Sequence, residues 1–434
     1  WMTVHSKSVR SNRRRVMRGL QIKASVNQNQ ADLQTRFMSV RPRNKVAHLV
    51  LERGRIAERW RSMRWDSLVT NGPAWHDRFP NMTFPGNADA FIPKEGVADY
   101  FEAYAKKYNA PIRCGTEVTQ VERLKGRPGF RVEMSNGVIE ALNVVVATGP
   151  FQLPNIPPIV PPTADINQMH SSEYRNPDQL GEGAVLVIGA GSSGVQIAEE
   201  LMRAGCKTYL SVGPHDRPPR SYRGRDCAWW LGVLGKWDAQ VQELKLSRHV
   251  TVAVSGARGG ETIDFRRLAA QGMVLVGMTE SFKDGKLSFA QDLADNLECG
   301  DQNYLSLLDE ADAFVACNGL NLPEEPEARI LGPTTDCIIN PIRELDLINA
   351  GVSTIIWATG FRSDYSWLKV NAFDEAGRPR HHQGVSCEKG LYFLGLPGLS
   401  GRGSSFIWGV WHDARHLADH IIIQDNYLAY RPQA

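Results

Sequence analysis

Residues 1 to 47 contain a single glycine, Gly19, although the chain of 434 residues holds 39. The same stretch has one acid, Asp32, against eleven Lys and Arg, a net of +10 that leaves −7 on the rest of a chain whose total is +3. The basic balance therefore sits in one segment and not across a surface, so nucleic-acid binding is not expected. The seven cysteines, Cys114, Cys206, Cys227, Cys299, Cys317, Cys337 and Cys387, form no Cys-x-x-Cys pair. Their odd number and scatter argue against a disulfide framework, a zinc site or a redox dithiol; reduced, mostly buried thiols and no metal are expected. The longest apolar runs, such as "VVVATG" and "STIIWATGF", fall short of the roughly 18 residues that a membrane span needs. A soluble, cytoplasmic protein of two or three domains is the expectation.

What is present is one full glycine turn, in "AVLVIGAGSSGVQIAEELMRAGCKTYLSV". The pattern predicts a buried strand over 185–188, then Gly189, Gly191 and Gly194, then a helix whose inner face carries Val195, Ala198, Leu201 and Met202. Gly205 ends that helix and "KTYLSV" supplies the next strand. Gly189 permits the tight turn, Gly191 lets backbone approach a pyrophosphate, and Gly194 lets helix pack on strand. The amides of Ser192 and Ser193 at the helix start would face phosphate oxygens. No acid closes the second strand, and Arg217, Arg220, Arg223 and Arg225 follow it. Guanidinium suits a 2′-phosphate where carboxylate suits a 2′-hydroxyl, so NADPH is expected over NADH, with Arg217, Arg220 and Arg223 as its partners.

Two further segments echo each other, "NVVVATGPFQLPNIPP" (143–158) and "STIIWATGFRSDYSWL" (353–368). Each reads as a buried strand ending in Ala-Thr-Gly, where small residues allow close approach of a ligand or another chain. The prolines after the first form a stiff exit between domains. Ahead of it, "EVTQVERLKGRPGFRVEMSNGVIEALNVVV" alternates as an antiparallel meander, with Asn136-Gly137 as a hairpin turn. Earlier, "HLVLE" reads as a short strand ending in Glu52, placed as a ribose-binding acid would be.

Together with "VLERGRIAERWRSMRWDSLVTNGP", "FIPKEGVADYFEAYAKKYN" and "LYFLGLPGLSGRGSSFIWGVWHD", these pieces resemble the flavin-containing monooxygenases. The likeness is to bacterial flavoprotein oxidoreductases akin to the plant auxin-forming enzymes, and it runs from about His48 to Tyr430. It implies an α/β fold of two Rossmann-like dinucleotide-binding domains, an FAD domain (48–152 and 346–434) interrupted by an NADPH domain (153–345). It also implies that NADPH reduces the flavin, whose C4a-hydroperoxide then passes one oxygen atom to a small organic substrate. Residue by residue, Glu52 would hold the adenosine ribose of FAD, and Arg53, Trp60 and Leu68 would flank the cofactor. Asn71 would be the catalytic asparagine near flavin and nicotinamide. Val118 would meet the adenine, and Thr148 and Gly149 would lie near FAD. Thr359 and Gly360 would lie at the junction of the cofactors, and Ser404, Ser405 and Phe406 beside the isoalloxazine. Trp229, Trp230, Trp408 and Trp411 are candidate substrate lining, and His412 reads as a structural histidine.

The sequence departs from the family in two places. The family linker pattern keeps His170 and Tyr174 but has Ala164 and Ile166 where Phe and Gly belong. Oxygenation of a heteroatom is therefore better supported than Baeyer–Villiger oxidation. The strand, glycine turn and helix expected before "VLERG" are absent from residues 1 to 47. A head outside the natural reading frame is expected; an Arg-rich targeting peptide before a truncated domain, or loss of FAD, would also account for it. Weak or absent FAD binding and a disordered head follow as expectations. Three functions then compete: the monooxygenase, an NADPH oxidase or reductase on the same scaffold, and a non-catalytic NADP-binding remnant.

Overall fold

The computed structural model describes residues 2–5, 24–25, 46–237 and 251–431. The glycine turn belongs to a parallel sheet in the order Asn167–His170, Val352–Trp357, Ala184–Ile188, Thr208–Ser211, Val274–Val276. Helices and loops cover both faces, so the central strands carry no polar alternation: all five residues of Ala184–Ile188 are buried. The helix Ser192–Arg203 follows at once, with Val195, Ala198 and Leu201 against the core and Met202 half-buried. Gly205 takes φ +89° and the amide of Cys206 reaches back to the Leu201 carbonyl at 3.0 Å, closing the helix as its position predicts.

The other sheet is built around Asn143–Ala147, which pairs in parallel with Leu391–Phe393. Val144 and Val146 face a cluster with Phe130 and Phe393, while Val145 faces one with Val50 and Leu417. A two-residue period with apolar residues on both sides is what a strand covered on both faces requires. Each fully buried valine contributes about 1.5–3 kcal/mol. His48–Leu51 lies on the far side of a gap that is filled by two pieces of the basic head. Met2–His5 pairs antiparallel with both His48–Leu51 and Asn143–Ala147. Ala24–Ser25 pairs parallel with both, farther along. The place where the resemblance puts a first strand is thus occupied, mainly by a strand running the opposite way. The rest of the head, and with it the expectation of disorder there, lies outside the described residues.

These two Rossmann-like units make the molecule α/β, as expected. Their border differs from the expectation at one end. Val352–Trp357 was assigned to the FAD unit, yet it pairs in parallel with both Asn167–His170 and Ala184–Ile188 inside the second sheet. The crossing points are Leu153–Pro154 and Phe361–Arg362, which pair antiparallel as a two-stranded link. The second ATG end therefore lies in the five-stranded parallel sheet, and the chain crosses back toward the other sheet at Phe361. The meander is present as Val118–Arg123, Phe130–Met134 and Gly137–Ala141. Its last turn sits one residue early: Met134 pairs with Gly137, so Ser135 and Asn136 form the loop and Gly137, at φ +145°, begins the strand. All seven cysteines are free, but only Cys227 is buried, and Cys114, Cys299, Cys317 and Cys387 are exposed. No helix among the described residues is long and apolar enough to cross a membrane.

His170, fully buried, ties its own strand to the chain that leaves the second ATG end. Its Nδ1 accepts from the Ser172 amide at 3.1 Å, which leaves Nε2–H to donate to the Gly360 carbonyl at 2.8 Å. Burial holds the imidazole below its ordinary pKa, outweighing the Gly360 hydrogen bond and the nearby Glu173. Such a group binds a proton more readily when unfolded. Its stabilisation is complete above the unfolded value near 6.5 and is lost as pH falls through that value toward the folded one. Unfolding free energy measured in urea should fall below about pH 6.5, and His170→Gln should flatten part of that slope. His215, His381 and His420 shift in the same direction and share the remainder.

Candidate active site at the junction of the two units

The glycine turn is set by contact. A Cβ on Gly194 would lie 1.8 Å from the Gly189 carbonyl oxygen, and one on Gly189, at φ +106°, would lie 2.6 Å from that of Ala358. Gly191 is more open: its Cβ would meet Thr251 at 3.4 Å. Ser192 begins the helix and donates its hydroxyl to the Val252 carbonyl at 2.7 Å. One turn on, Gln196 donates Nε2 to the Val254 carbonyl at 2.7 Å and to Asn71 Oδ1 at 3.0 Å. Asn71 arrives from the other unit. With Oδ1 occupied, its Nδ2 is the group left to donate.

Two cavities meet there. One, of about 270 Å³, lies between the Ser192 turn, His76, Arg220, Trp237 and Trp408. The other, of about 180 Å³, is walled by Trp60, Arg64, Leu68, Phe151 and Phe361. Asn71, Asp77, Ser192, Phe406 and Trp408 line both. In the smaller one the Trp60 indole N–H is buried without a partner. The Arg64 guanidinium lies over the Trp60 and Phe151 rings at 5.9 and 5.5 Å and donates to the Met63 carbonyl. No carboxylate pairs with it among the described residues. Burial, then the nearby Arg59 and Arg175, push its pKa down to about 10, so it stays charged at neutral pH.

The remaining expected residues fall at the edges of this junction or away from it. Glu52 ends its strand almost buried, one carboxylate oxygen accepting from the Gly54 amide at 2.7 Å. Burial raises its pKa against that hydrogen bond. Arg53 points outward to Glu117, and Val118 opens the meander. Thr148 and the Gly149 carbonyl each accept from Gln152 Nε2 at 2.9 Å, and Gln152 Oε1 accepts from the Asp364 amide, bridging the two links. Thr359 and Gly360 bond across to Asn155. Ser404 is buried and its oxygen accepts from the Ser400 and Gly401 amides, so its side chain holds the loop; Ser405 is buried beside it. Phe406 stays half exposed, parallel to Trp408.

The arginine reading needs correction. Arg217 is 2% exposed, paired with Asp301 at 2.6 Å and lying over Tyr304, inside the core of its unit. Arg223 faces Asp312 at 2.6 Å. Only Arg220 reaches the larger cavity, where it pairs with Asp226 and donates to the Asn71 carbonyl. Sequence spacing cannot tell an arginine offered to a ligand from one neutralised by an acid more than eighty residues away. Of the four candidate tryptophans, only Trp408 lines either of these two cavities; Trp230 is a core ring bonded to the Tyr222 carbonyl. Nothing in the local sequence of Arg64, His76, Gln196 or Trp237 marks where the other unit comes to meet them. No cluster of side chains among the described residues could hold a metal.

Arg217→Ala should cost about 3–5 kcal/mol in denaturant unfolding, the penalty for an uncompensated buried acid, less what Arg266 retains through its own pair with Asp301. NADPH affinity of the folded variant should change little.

A family model of pyridine nucleotide-disulphide oxidoreductases matches residues 41–223. An uncharacterized CzcO-like oxidoreductase of Geobacillus kaustophilus is 35% identical over 86% of this chain and 90% of its own. The rice indole-3-pyruvate monooxygenase YUCCA1 is 26% identical over 82% of each chain. Among solved structures, the flavin-containing monooxygenase of Stenotrophomonas maltophilia shares the fold, with a TM-score of 0.62 at 18% identity over 94% of this chain and 98% of that one. The chain belongs to the family of CzcO-like oxidoreductases.

Proposed function

We propose that the protein is an FAD- and NADPH-dependent monooxygenase acting on a small organic substrate. The observation that carries this reading is the pair of cavities sharing Asn71 as a wall, one beside the glycine turn and one beside Trp60 and Arg64. Hydride transfer needs a nicotinamide against a flavin, and a shared wall is where the two would touch. The flavin, when bound, supplies the redox chemistry: it takes the hydride of NADPH and passes one atom of oxygen to the substrate.

The protein's own part is binding, orientation and dryness. Gly189, Gly191 and Gly194 with the amides of Ser192 and Ser193 would hold the NADPH pyrophosphate. The residues present fit a flavin at its ring end: the unpartnered Trp60 N–H would donate to it, and the uncompensated Arg64 would favour negative charge there. The second oxygen of Glu52 would take the FAD ribose, with Leu68, Thr148, Gly149 and the Ser404–Phe406 segment around the cofactor and the Val118 backbone at the adenine. Thr359 and Gly360 would meet both cofactors. Arg220 would position Asn71, and the Asn71 amide would donate to the reacting groups. Trp60, Trp65, Phe151 and Phe361 keep this region apolar, which strengthens those hydrogen bonds.

A second reading, an NADPH-binding protein without flavin, rests on the reversed strand Met2–His5. An antiparallel strand leads the chain away from the carboxyl edge of the sheet, so it cannot present a phosphate-binding turn there. Visible absorption of the full chain before and after adding FAD separates the two. Bound flavin bands with NADPH-dependent oxygenation support the monooxygenase; a colourless protein that binds NADPH but takes up no FAD rejects it. Peroxide released in place of oxygenated product would make it an NADPH oxidase. In the flavin-bound enzyme, Asn71→Ala should lower kcat by on the order of 10²-fold, the usual loss for a donor aimed at developing charge.

A further inference from the structure

His76 and Asp77 lie on the tight turn that Asn71 opens. The amides of both reach the Pro73 carbonyl at 2.9 Å, and Asp77 Oδ2 accepts from the Gly72 amide at 3.0 Å. The turn is too close for a side chain at Gly72, whose Cβ would lie 2.5 Å from Asp77 Oδ1. That same oxygen is 2.8 Å from His76 Nδ1. A carboxylate there accepts, so it holds the neutral ring with hydrogen on Nδ1 and leaves Nε2 as a bare acceptor. Nε2 has no hydrogen-bond partner among the described residues, and His76 lines the larger cavity. The ring is clasped by Trp237 at 5.4 Å and Trp408 at 5.0 Å, and Trp408 and Asp77 also face the smaller cavity.

Resting on the monooxygenase reading above, we infer that His76 is the proton acceptor of the reaction, positioned by Asp77, and that the substrate arrives as an ammonium ion at the His76 end of the larger cavity, with the nicotinamide at its Ser192 end. A protonated amine has no lone pair to receive oxygen. The indole faces of Trp237 and Trp408 attract such a cation, as do the carboxylates of Asp77 and Asp216 in the same cavity. His76 Nε2 takes the proton: the substrate N–H bond breaks, its electron pair stays on nitrogen, and a new Nε2–H bond forms. The imidazolium is balanced by Asp77 through Nδ1–H, and its proton can pass to the oxygen atom that leaves as water. The other charged groups lining this cavity are Arg220, Lys236, Glu310 and Arg402. Lys236 and Glu310 pair with each other and Arg220 with Asp226.

The test sets benzylamine, which must lose a proton, against thioanisole, which has none to lose, on the full-length protein with FAD and NADPH. His76→Gln should lower benzylamine oxygenation by on the order of 10²–10⁴-fold, with a much smaller loss on thioanisole and partial rescue by free imidazole. Asp77→Asn should lower benzylamine turnover more than it raises KM. Nitrogen-15 NMR of the ring should find hydrogen on Nδ1 in the wild type and lose that preference in Asp77→Asn. Equal losses on both probes, hydrogen on Nε2, or a wild type that oxygenates thioanisole alone would each overturn the proposal and leave the monooxygenase standing. A wild type that oxygenates neither probe would overturn the proposal, and one that also consumes no NADPH would overturn the monooxygenase reading with it.

Discussion

The junction depends on one close backbone approach, of Gly194 to Gly189 and of Gly189 to Ala358. The Gly189 carbonyl occupies the volume a Gly194 side chain would need, and the Ala358 carbonyl that of Gly189. The turn, the helix start and the Ala358 segment pack this closely because the two glycines carry no side chain and because a hydrogen bond also binds them: the Ala358 amide donates to the Ile188 carbonyl at 2.8 Å. This approach seats the start of the Ser192–Arg203 helix directly beside the chain that leaves for the other unit. From Ala358 the chain passes Thr359 and Gly360, which His170 and Asn155 hold, and crosses at Phe361. Gln196, one turn into the helix, is thereby brought to Asn71.

Charge is distributed with the same economy. Arg217 and Arg266 share Asp301, Arg220 faces Asp226, and Arg223 and Arg329 share Asp312. These cations, buried or half-buried except for Arg329, are compensated and serve the architecture of their unit, where removing a buried partner is the costly event. Arg64 is different. It is enclosed by aromatic rings and answered only by a carbonyl, with Arg59 and Arg175 nearby adding to the positive potential. A cation left so is unfavourable in the protein alone and becomes favourable against an electron-rich ligand.

Those features of the sequence that act locally were readable. The strand of Val185–Ile188, its glycines, the helix face of Val195, Ala198 and Leu201, and the stop at Gly205 all stand where spacing puts them. So do the meander and the two ATG strands, because period and turn chemistry involve residues only a few positions apart. The assignment of the second ATG strand to the first unit failed for the complementary reason. A continuous apolar strand fits either parallel sheet, and only its pairing with Ala184–Ile188 decides which.

The sequence by itself determined a family, two dinucleotide-binding units and the turn that would hold a pyrophosphate, since each rests on short-range backbone geometry. Tertiary structure decided which side chains are free to act. It buried Arg217 against Asp301, 84 residues on, turned Trp230 into a core ring, and brought His76 between Trp237 and Trp408. It also seated a reversed strand, Met2–His5, in the first sheet, where composition had suggested no strand at all. In each case the deciding partner lies far along the chain, and a side chain's availability is set by that partner and not by its own neighbours.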